Sequence, residues 1–248
     1  MPPASGKGAG NTRRRQSVNV ILLGAQGSGK GTQAELLAND LRLKPTASGE
    51  LLRAAIAADT PAGRAAKPYY DRGDLVPDQL VIEMILDAVR HLDGARGIIL
   101  DGFPRNLAQA RALDAEMEAS GERITDAVYL DVPRNILLDR LSGRYICRAN
   151  GHVWNIKTRP PRVPGICDYD GSELYQRSDD TPEKIGHRLD IFFSETILVV
   201  GYYASQGKLI QVDGTRSVEE VHQEILQRLD PNPVRQGAFS PLPDERSA

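Results

Sequence analysis

The sequence predicts an α/β fold: a parallel sheet flanked by helices and interrupted by a small β insert. Three observations predict it. Short apolar β-like runs recur along the chain with helical patterns between them, as strands joined by helical crossovers do. The first run leads straight into a glycine-rich loop and then a helix. Residues 144–180 break the alternation with Gly, Pro, aromatic and β-branched residues that follow no helical period.

Val18–Leu23 is the first strand, Gly24–Thr32 the loop, and Thr32–Leu41 the helix. Strand, glycine turn with one lysine, and helix together make a phosphate cradle. Backbone N–H groups wrap phosphate oxygens, the helix N-terminus adds positive partial charge, and Lys30 reaches the outer phosphates. The general pattern G-x-x-x-x-G-K-[ST] is met except that Gly31 stands where the hydroxyl belongs and Thr32 follows it. A bound nucleoside triphosphate is the implication. Lys44–Ala47 reads as a further short strand, and Gly97–Asp101, Ala127–Asp131 and Lys208–Asp213 as the remaining ones. Thr60-Pro61 and Thr181-Pro182 each pair a capping hydroxyl with proline at the first helical position. Ser217 with Glu220 forms a capping box that opens the last helix, through about Leu229. Its Val218, Val221, Ile225 and Leu229 form one stripe, expected in the core. The 144–180 segment is an inserted small β domain, and a long insert near a phosphate site is a candidate lid.

A chain of 248 residues accommodates one domain with inserts, or two small domains. Its formal net charge of −2 advertises no basic field for nucleic acid. No apolar run approaches the length of a membrane span. Two cysteines, Cys147 and Cys167, make no disulfide framework, which fits a reducing, cytoplasmic compartment. Residues 1–16 lack acidic groups and are expected to be a disordered tail, as are residues 231–248, rich in Pro and polar groups. Thr12-Arg13-Arg14-Arg15 loosely matches an export signal, but the apolar run after it is short and belongs to the loop motif; an organellar address in this tail is the alternative.

Phosphoryl transfer needs positioning and positive charge more than a covalent nucleophile. Arginines stand singly at element ends: Arg53 after Ser48-Gly49-Glu50-Leu51-Leu52, Arg105 closing Asp101-Gly102-Phe103-Pro104, Arg140 and Arg144 four apart, and Arg177 and Arg188 at the exit from the insert. Asp101 ends the apolar run Ile98-Ile99-Leu100, the usual place for an acid that holds a magnesium-bound water beside the loop lysine.

With these residues in view the chain resembles adenylate kinase of the long-lid form, within the nucleoside monophosphate kinases. The resemblance runs from about Val18 to Leu229. It rests on GAQGSGKGTQAELLA at 24–38, SGELLR at 48–53, DGFPRNLAQA at 101–110, DRLSGR at 139–144 and YQRSDDTPEKIGHRL at 175–189. It implies a phosphate-loop parallel sheet over residues 17–230, with a helical AMP-binding segment at 47–76 and a β lid at 143–180. It implies reversible transfer of the terminal phosphoryl of Mg-ATP to AMP, giving two ADP, in adenine nucleotide homeostasis and AMP salvage. Carried onto matching positions, Gly27, Ser28, Gly29, Lys30, Gly31 and Thr32 bind the ATP phosphates, and the Arg216 carbonyl meets the adenine. Ser48, Gly49 and Arg53 hold AMP, Asp74, Leu75 and Val76 meet its base, Gly102, Phe103, Pro104 and Arg105 line its site, and Gln109 reads adenine. Arg140 and Arg144 surround ATP and the transferring group, and Arg177 and Arg188 clamp AMP and that group. A monomer is the family expectation.

The sequence departs from the family at Gln26, where proline is usual, at Glu50, where aspartate is usual, and at Asn106, expected as a helix cap. The lid departs further. Relatives hold zinc with C-x₂-C and C-x₂-[CD], whereas here the pairs are Cys147…Asn150 and Cys167…Asp170. Asn is a poor zinc ligand, so the expectation is a metal-free lid held by hydrogen bonds among Asn150, Asp170 and nearby polar groups. Zinc on Cys147, Cys167 and Asp170, with His152 substituting, is the alternative. Trp154 is expected in the lid core. GTP:AMP phosphotransfer, or another nucleoside monophosphate kinase activity, is the alternative function. A GTPase switch would want N-K-x-D, which is absent, and its D-x-x-G letters fall inside the insert at Asp168–Gly171.

Overall fold

The computed structural model describes residues 17–72, 76–92, 94–176 and 180–229. The expected tails, and with them Arg13–Arg15, lie outside the described residues, as do Asp74, Leu75 and Arg177.

Strand β1 (Val20–Leu23) feeds helix α1 (Lys30–Leu41). Next come β2 (Lys44–Ala47), α2 (Ser48–Ala57), α3 (Pro61–Arg72) and α4 (Asp78–Arg90). Strand β3 (Ile98–Asp101), α5 (Leu107–Ala119), β4 (Asp126–Asp131) and α6 (Arg134–Ser142) continue the core. The insert contributes β5 (Arg144–Cys147), β6 (Val153–Asn155) and β7 (Leu174–Tyr175). The chain closes with α7 (Pro182–Ile191), a π-helical turn (Phe192–Thr196), α8 (Ile197–Ser205), β8 (Leu209–Asp213) and α9 (Val218–Leu229).

Five strands form one parallel sheet in the order β2-β3-β1-β4-β8. Both faces are covered, which is why its central strands read as unbroken apolar runs. Along β1, Ile21 and Leu23 enter the core under α4, α5, α7 and α8, while Val20 and Leu22 enter the core under α1 and α9. Pro45 is tolerated because β2 is an edge strand, where the missing N–H leaves no interior ladder bond unmade. Register aligns Asp101 with Leu22 on one side and Ala47 on the other, and Asp131 with Asp213. The strand ends that carry the glycine loop, Ser48, Asp101 and the 214–217 turn therefore share one edge of the sheet, where α/β folds place their ligands.

The caps follow the sequence. Thr60 Oγ1 accepts from Gly63 N at 3.0 Å, and Asn106 Oδ1 accepts from Gln109 N at 2.9 Å. Ser217 and Glu220 exchange both capping-box bonds, with Ser217 N to Glu220 Oε2 at 3.0 Å and Glu220 N to Ser217 Oγ at 3.3 Å. The α9 stripe needs one correction. Val221 and Ile225 are buried, but Val218, in the first turn, is 41% exposed, and His222 enters the interior instead, bonded to Asp40 of α1 at 2.8 Å.

The insert folds as a three-stranded antiparallel sheet in the order β6-β5-β7. Its own small core is Cys147, Trp154, Cys167 and Leu174, so Trp154 lies where the sequence put it. No helix among the described residues is long and apolar enough to cross a membrane.

Candidate active site

The glycine loop is built by conformations that a side chain would strain. Gly24, Gly27 and Gly29 have φ of 149°, 84° and 100°. A Cβ on Gly24 would stand 2.6 Å from Ser28 Oγ and 3.0 Å from the Leu130 carbonyl, so the loop closes only around glycine. Gly29 then caps α1, which begins at Lys30. The lysine folds back over the loop, and Nζ donates to the carbonyls of Gly24 at 2.7 Å and Ala25 at 3.0 Å. Burial lowers the Lys30 pKa most; Asp101 opposes that shift, and Arg105, Arg144 and Arg188 add to it. Those four partners, drawn from three separate stretches of sequence, thus converge on one ammonium group. Arg105 feels the same charges: burial of its guanidinium lowers its pKa most, with Asp101 opposing and Arg188 reinforcing the shift. Lys30, Arg105, Arg144 and Arg188 outnumber the two carboxylates among them, Asp101 and Asp180, and the surplus positive charge makes a field that suits a polyanion.

The other expected residues fall around this centre. Arg140 Nη1 donates to the Gly27 carbonyl at 3.4 Å. Ser48, at the start of α2, donates from Oγ to the Gly102 carbonyl at 3.3 Å, which joins two stretches expected to meet AMP. The Arg53 guanidinium lies over Gly49, where an added Cβ would approach Nη1 to 3.4 Å. Phe103 is buried beneath the turn, and Arg105 Nε donates to the Gly102 carbonyl at 2.9 Å. Gln109 is buried, and both ends of its amide are engaged: Oε1 accepts from Arg105 N at 2.6 Å and Nε2 donates to Asp78 Oδ1 at 2.6 Å. One N–H of that amide remains for a base. Val76 is half-buried ahead of α4. Arg216 turns its guanidinium toward Glu224 of α9.

Sequence reasoning missed Asp180. Its side chain is fully buried and takes Arg144 at two points while Arg188 Nη1 stands 3.5 Å away. Two arginines and one buried acid are thereby locked together at the root of the insert. Position 180 sits in a run of polar residues that reads as loop, and only the return of the chain onto Arg144 gives it a partner.

In the insert, four ligand-type atoms from Cys147, His152, Cys167 and Asp170 lie within 4.8 Å of one another. The expected Asn150–Asp170 hydrogen bond is present at 2.8 Å. His152, rather than Asn150, completes the group, with Nδ1 3.3 Å from Cys167 Sγ and 3.3 Å from Asp170 Oδ2. The turn through Gly151, at φ 73°, carries it there. Hydrogen bonds from Cys147, Asn150 and Ser172 hold the Asp170 carboxyl far below the usual carboxylate range.

Fold and site together define a phosphate-loop α/β protein with arginines gathered beside the loop lysine and a small β sheet inserted after α6. The sequence profile of adenylate kinase matches residues 22–208. Adenylate kinase of Carboxydothermus hydrogenoformans is 42% identical over 212 residues, 86% of this chain and 99% of that protein. The Dehalococcoides mccartyi enzyme is 45% identical over 208 residues, and that of Bacillus subtilis 38% over 208, each covering 84% of this chain and 96% of the relative. The chain belongs to the adenylate kinase family.

Proposed function

We propose that this chain transfers the terminal phosphoryl group of Mg-ATP to AMP, reversibly, giving two ADP, in adenine nucleotide balance and AMP salvage. The single observation that carries the reading is the convergence of Arg105, Arg144 and Arg188 on Lys30 beside Asp101. An AMP phosphate oxygen attacks the γ-phosphorus in line, and the bond to the β–γ bridging oxygen breaks. Two polyphosphates brought together repel, and opposed guanidiniums neutralise oxygens on both sides of the migrating group. Gly27–Thr32 cradle the donor phosphates. Lys30 leaves its two loop carbonyls to bridge the donor and transferred groups. Arg140 and Arg144 face the donor, and Arg105 and Arg188 the acceptor, with Arg177 as their fifth member. Ser48, Gly49, Arg53, Gly102–Pro104 and the remaining N–H of Gln109 receive AMP, with Asp74, Leu75 and Val76 against its base, and the Arg216 carbonyl takes the donor adenine. Asp101 would hold the water shell of the magnesium that accompanies ATP, which would supply positive charge at the donor phosphates.

Residues 47–76 are the acceptor segment and 143–180 the lid, which completes the arginine cage and excludes water that would waste ATP. Cys147, His152, Cys167 and Asp170 would suit zinc by donor type, two thiolates, an imidazole and a carboxylate, but their atoms, spread over 4.8 Å, would have to draw in to the roughly 3.3–3.8 Å that bonds of about 2.0–2.3 Å set. Zinc there would tie the two turns of the insert and takes no part in transfer. A cytoplasmic location fits the two free cysteines, and a monomer is the state expected from the family.

The test is coupled ADP formation from Mg-ATP with AMP, UMP, CMP and GMP in turn, repeated with GTP as donor. AMP with ATP should give the highest kcat/KM. A rate with another acceptor and none with AMP would overturn the substrate assignment, and preference for GTP would overturn the donor.

A further inference from the structure

We propose that Thr196 is a positioning residue for Arg105, and that it closes a hydrogen-bonded relay joining the root of the acceptor segment to the root of the lid. The inference rests on the phosphotransfer reading above. Thr196 Oγ1 donates to the Arg105 carbonyl at 2.8 Å across 91 residues of sequence. On its other side the Arg105 N–H donates to Gln109 Oε1 at 2.6 Å, and Gln109 Nε2 donates to Asp78 Oδ1 at 2.6 Å. Both peptide groups of Arg105 are therefore fixed, one from α4 and α5 and the other from the π-helical turn. Its guanidinium leaves this clamped backbone and enters the cleft.

The turn gives the hydroxyl an unusual partner. A Ser or Thr inside a helix ordinarily bonds back to a carbonyl three or four residues earlier. Ser194, in the same turn, does so, donating to the Asp190 carbonyl at 2.8 Å. Thr196 instead reaches out of its helix. It lies eight residues after Arg188, and eight regular α residues turn roughly 80° past two full turns. The wider i→i+5 ring of a π turn winds less per residue and removes part of that excess, bringing Thr196 toward the side of the helix that carries Arg188. The helix that leaves the lid thus presents Arg188 to the cleft at one level and holds the Arg105 backbone at another. Asp78, at the far end of the relay, begins the helix that follows the acceptor segment. A shift at either root pulls on the same peptide.

The experiment compares Thr196→Val, Thr196→Ser and, as a local control, Ser194→Ala in the full chain. Steady-state kinetics are read for both substrates, with thermal melting and hydrogen exchange of residues 102–109. Thr196→Val should lower kcat/KM for AMP about tenfold, since small misplacements of a phosphate clamp are costly. The ATP KM and the melting temperature should stay near native, and exchange at 102–109 should quicken. Thr196→Ser should restore both within about twofold, and Ser194→Ala should change neither. Native kinetics and exchange in Thr196→Val would overturn the proposal, and so would equal losses for both nucleotides with a lowered melting temperature, which mark a merely structural bond. Should the native chain not phosphorylate AMP at all, the functional reading falls, while the exchange data still decide the tether.

Discussion

Arg144 and Asp180 form a two-point ion pair, with Nε to Oδ2 at 2.8 Å and Nη2 to Oδ1 at 2.5 Å. The acid is completely shielded and Arg144 is 15% exposed. Removing one partner of a buried pair leaves the other charge uncompensated, a loss of about 3 kcal/mol or more. Asp180→Asn should therefore destabilise the chain by about that amount in urea unfolding. It should also lower kcat at least tenfold, because Arg144 and Arg188 then repel with nothing between them. Native stability and turnover in this variant would show that the two arginines hold their places without the acid.

Lys30→Ala and Arg105→Ala act on the reacting charges directly. Loss of one preorganised donor typically lowers kcat by about 10²–10³-fold. Each variant should lose at least that much activity while its circular dichroism stays native, since neither side chain fills a core. A turnover within tenfold of native in either would count against its assigned role.

These two residues were legible in the sequence because their context is local. Lys30 sits in a loop whose glycine spacing demands its geometry, and Arg105 closes the five-residue stretch Asp101–Arg105 that opens at the end of β3. The five strands, the helix caps and the β character of the insert were legible for the same reason: period, capping chemistry and turn residues act over a few positions. Asp180 was not, since its importance comes from a partner 36 residues away. Thr196 was not, because its partner lies 91 residues away and its helix departs from regular winding. His152 fell outside the ligand spacing, and only the Gly151 turn brings it to the cysteines. Val218 misled because the apolar stripe continues one turn beyond the surface that α9 buries.

The lid group makes a prediction about metal. A zinc lid, the alternative to one held by hydrogen bonds, requires that protein purified without added zinc carry about one zinc per chain by mass spectrometry and that a chelator lower its melting temperature. His152→Ala should abolish both effects while Asn150→Ala retains the metal. Zinc-free protein whose melting is indifferent to chelator would return the lid to hydrogen bonds alone.

Acid should loosen the start of α9. Bonds from the Ser217 hydroxyl and backbone lower the Glu220 pKa below its ordinary value of 4.5. A carboxylate with a depressed folded pKa contributes stability that is complete above its unfolded pKa and is lost as pH falls through the folded one. Ser217→Ala should therefore melt below native at pH 7, and the gap should narrow as pH falls from about 4.5 through the depressed folded pKa. A gap that stays constant over that range would assign the whole effect to the cap on the Glu220 N–H.

Two glycines in helices should respond to alanine with opposite signs. Gly63 of α3 is buried against α2, and an added Cβ would fall on the Ala55 carbonyl, with the Ile56 N–H next to it at 2.7 Å. That atom is backbone, so nothing can swing aside, and the two helices must part. Overpacking of this kind costs about 1–3 kcal/mol. Because α2 begins with Ser48 and Gly49 and carries Arg53, the displacement should also raise the KM for AMP more than that for ATP. Gly201 of α8 is exposed and its added Cβ meets nothing within 4 Å. There the methyl group only reduces the freedom of the unfolded chain, and Gly201→Ala should stabilise by about 0.5–1 kcal/mol with unchanged kinetics. Thermal melts of the two variants side by side measure the contrast. A Gly63→Ala chain as stable as native would mean that α2 and α3 pack less closely than their backbones indicate.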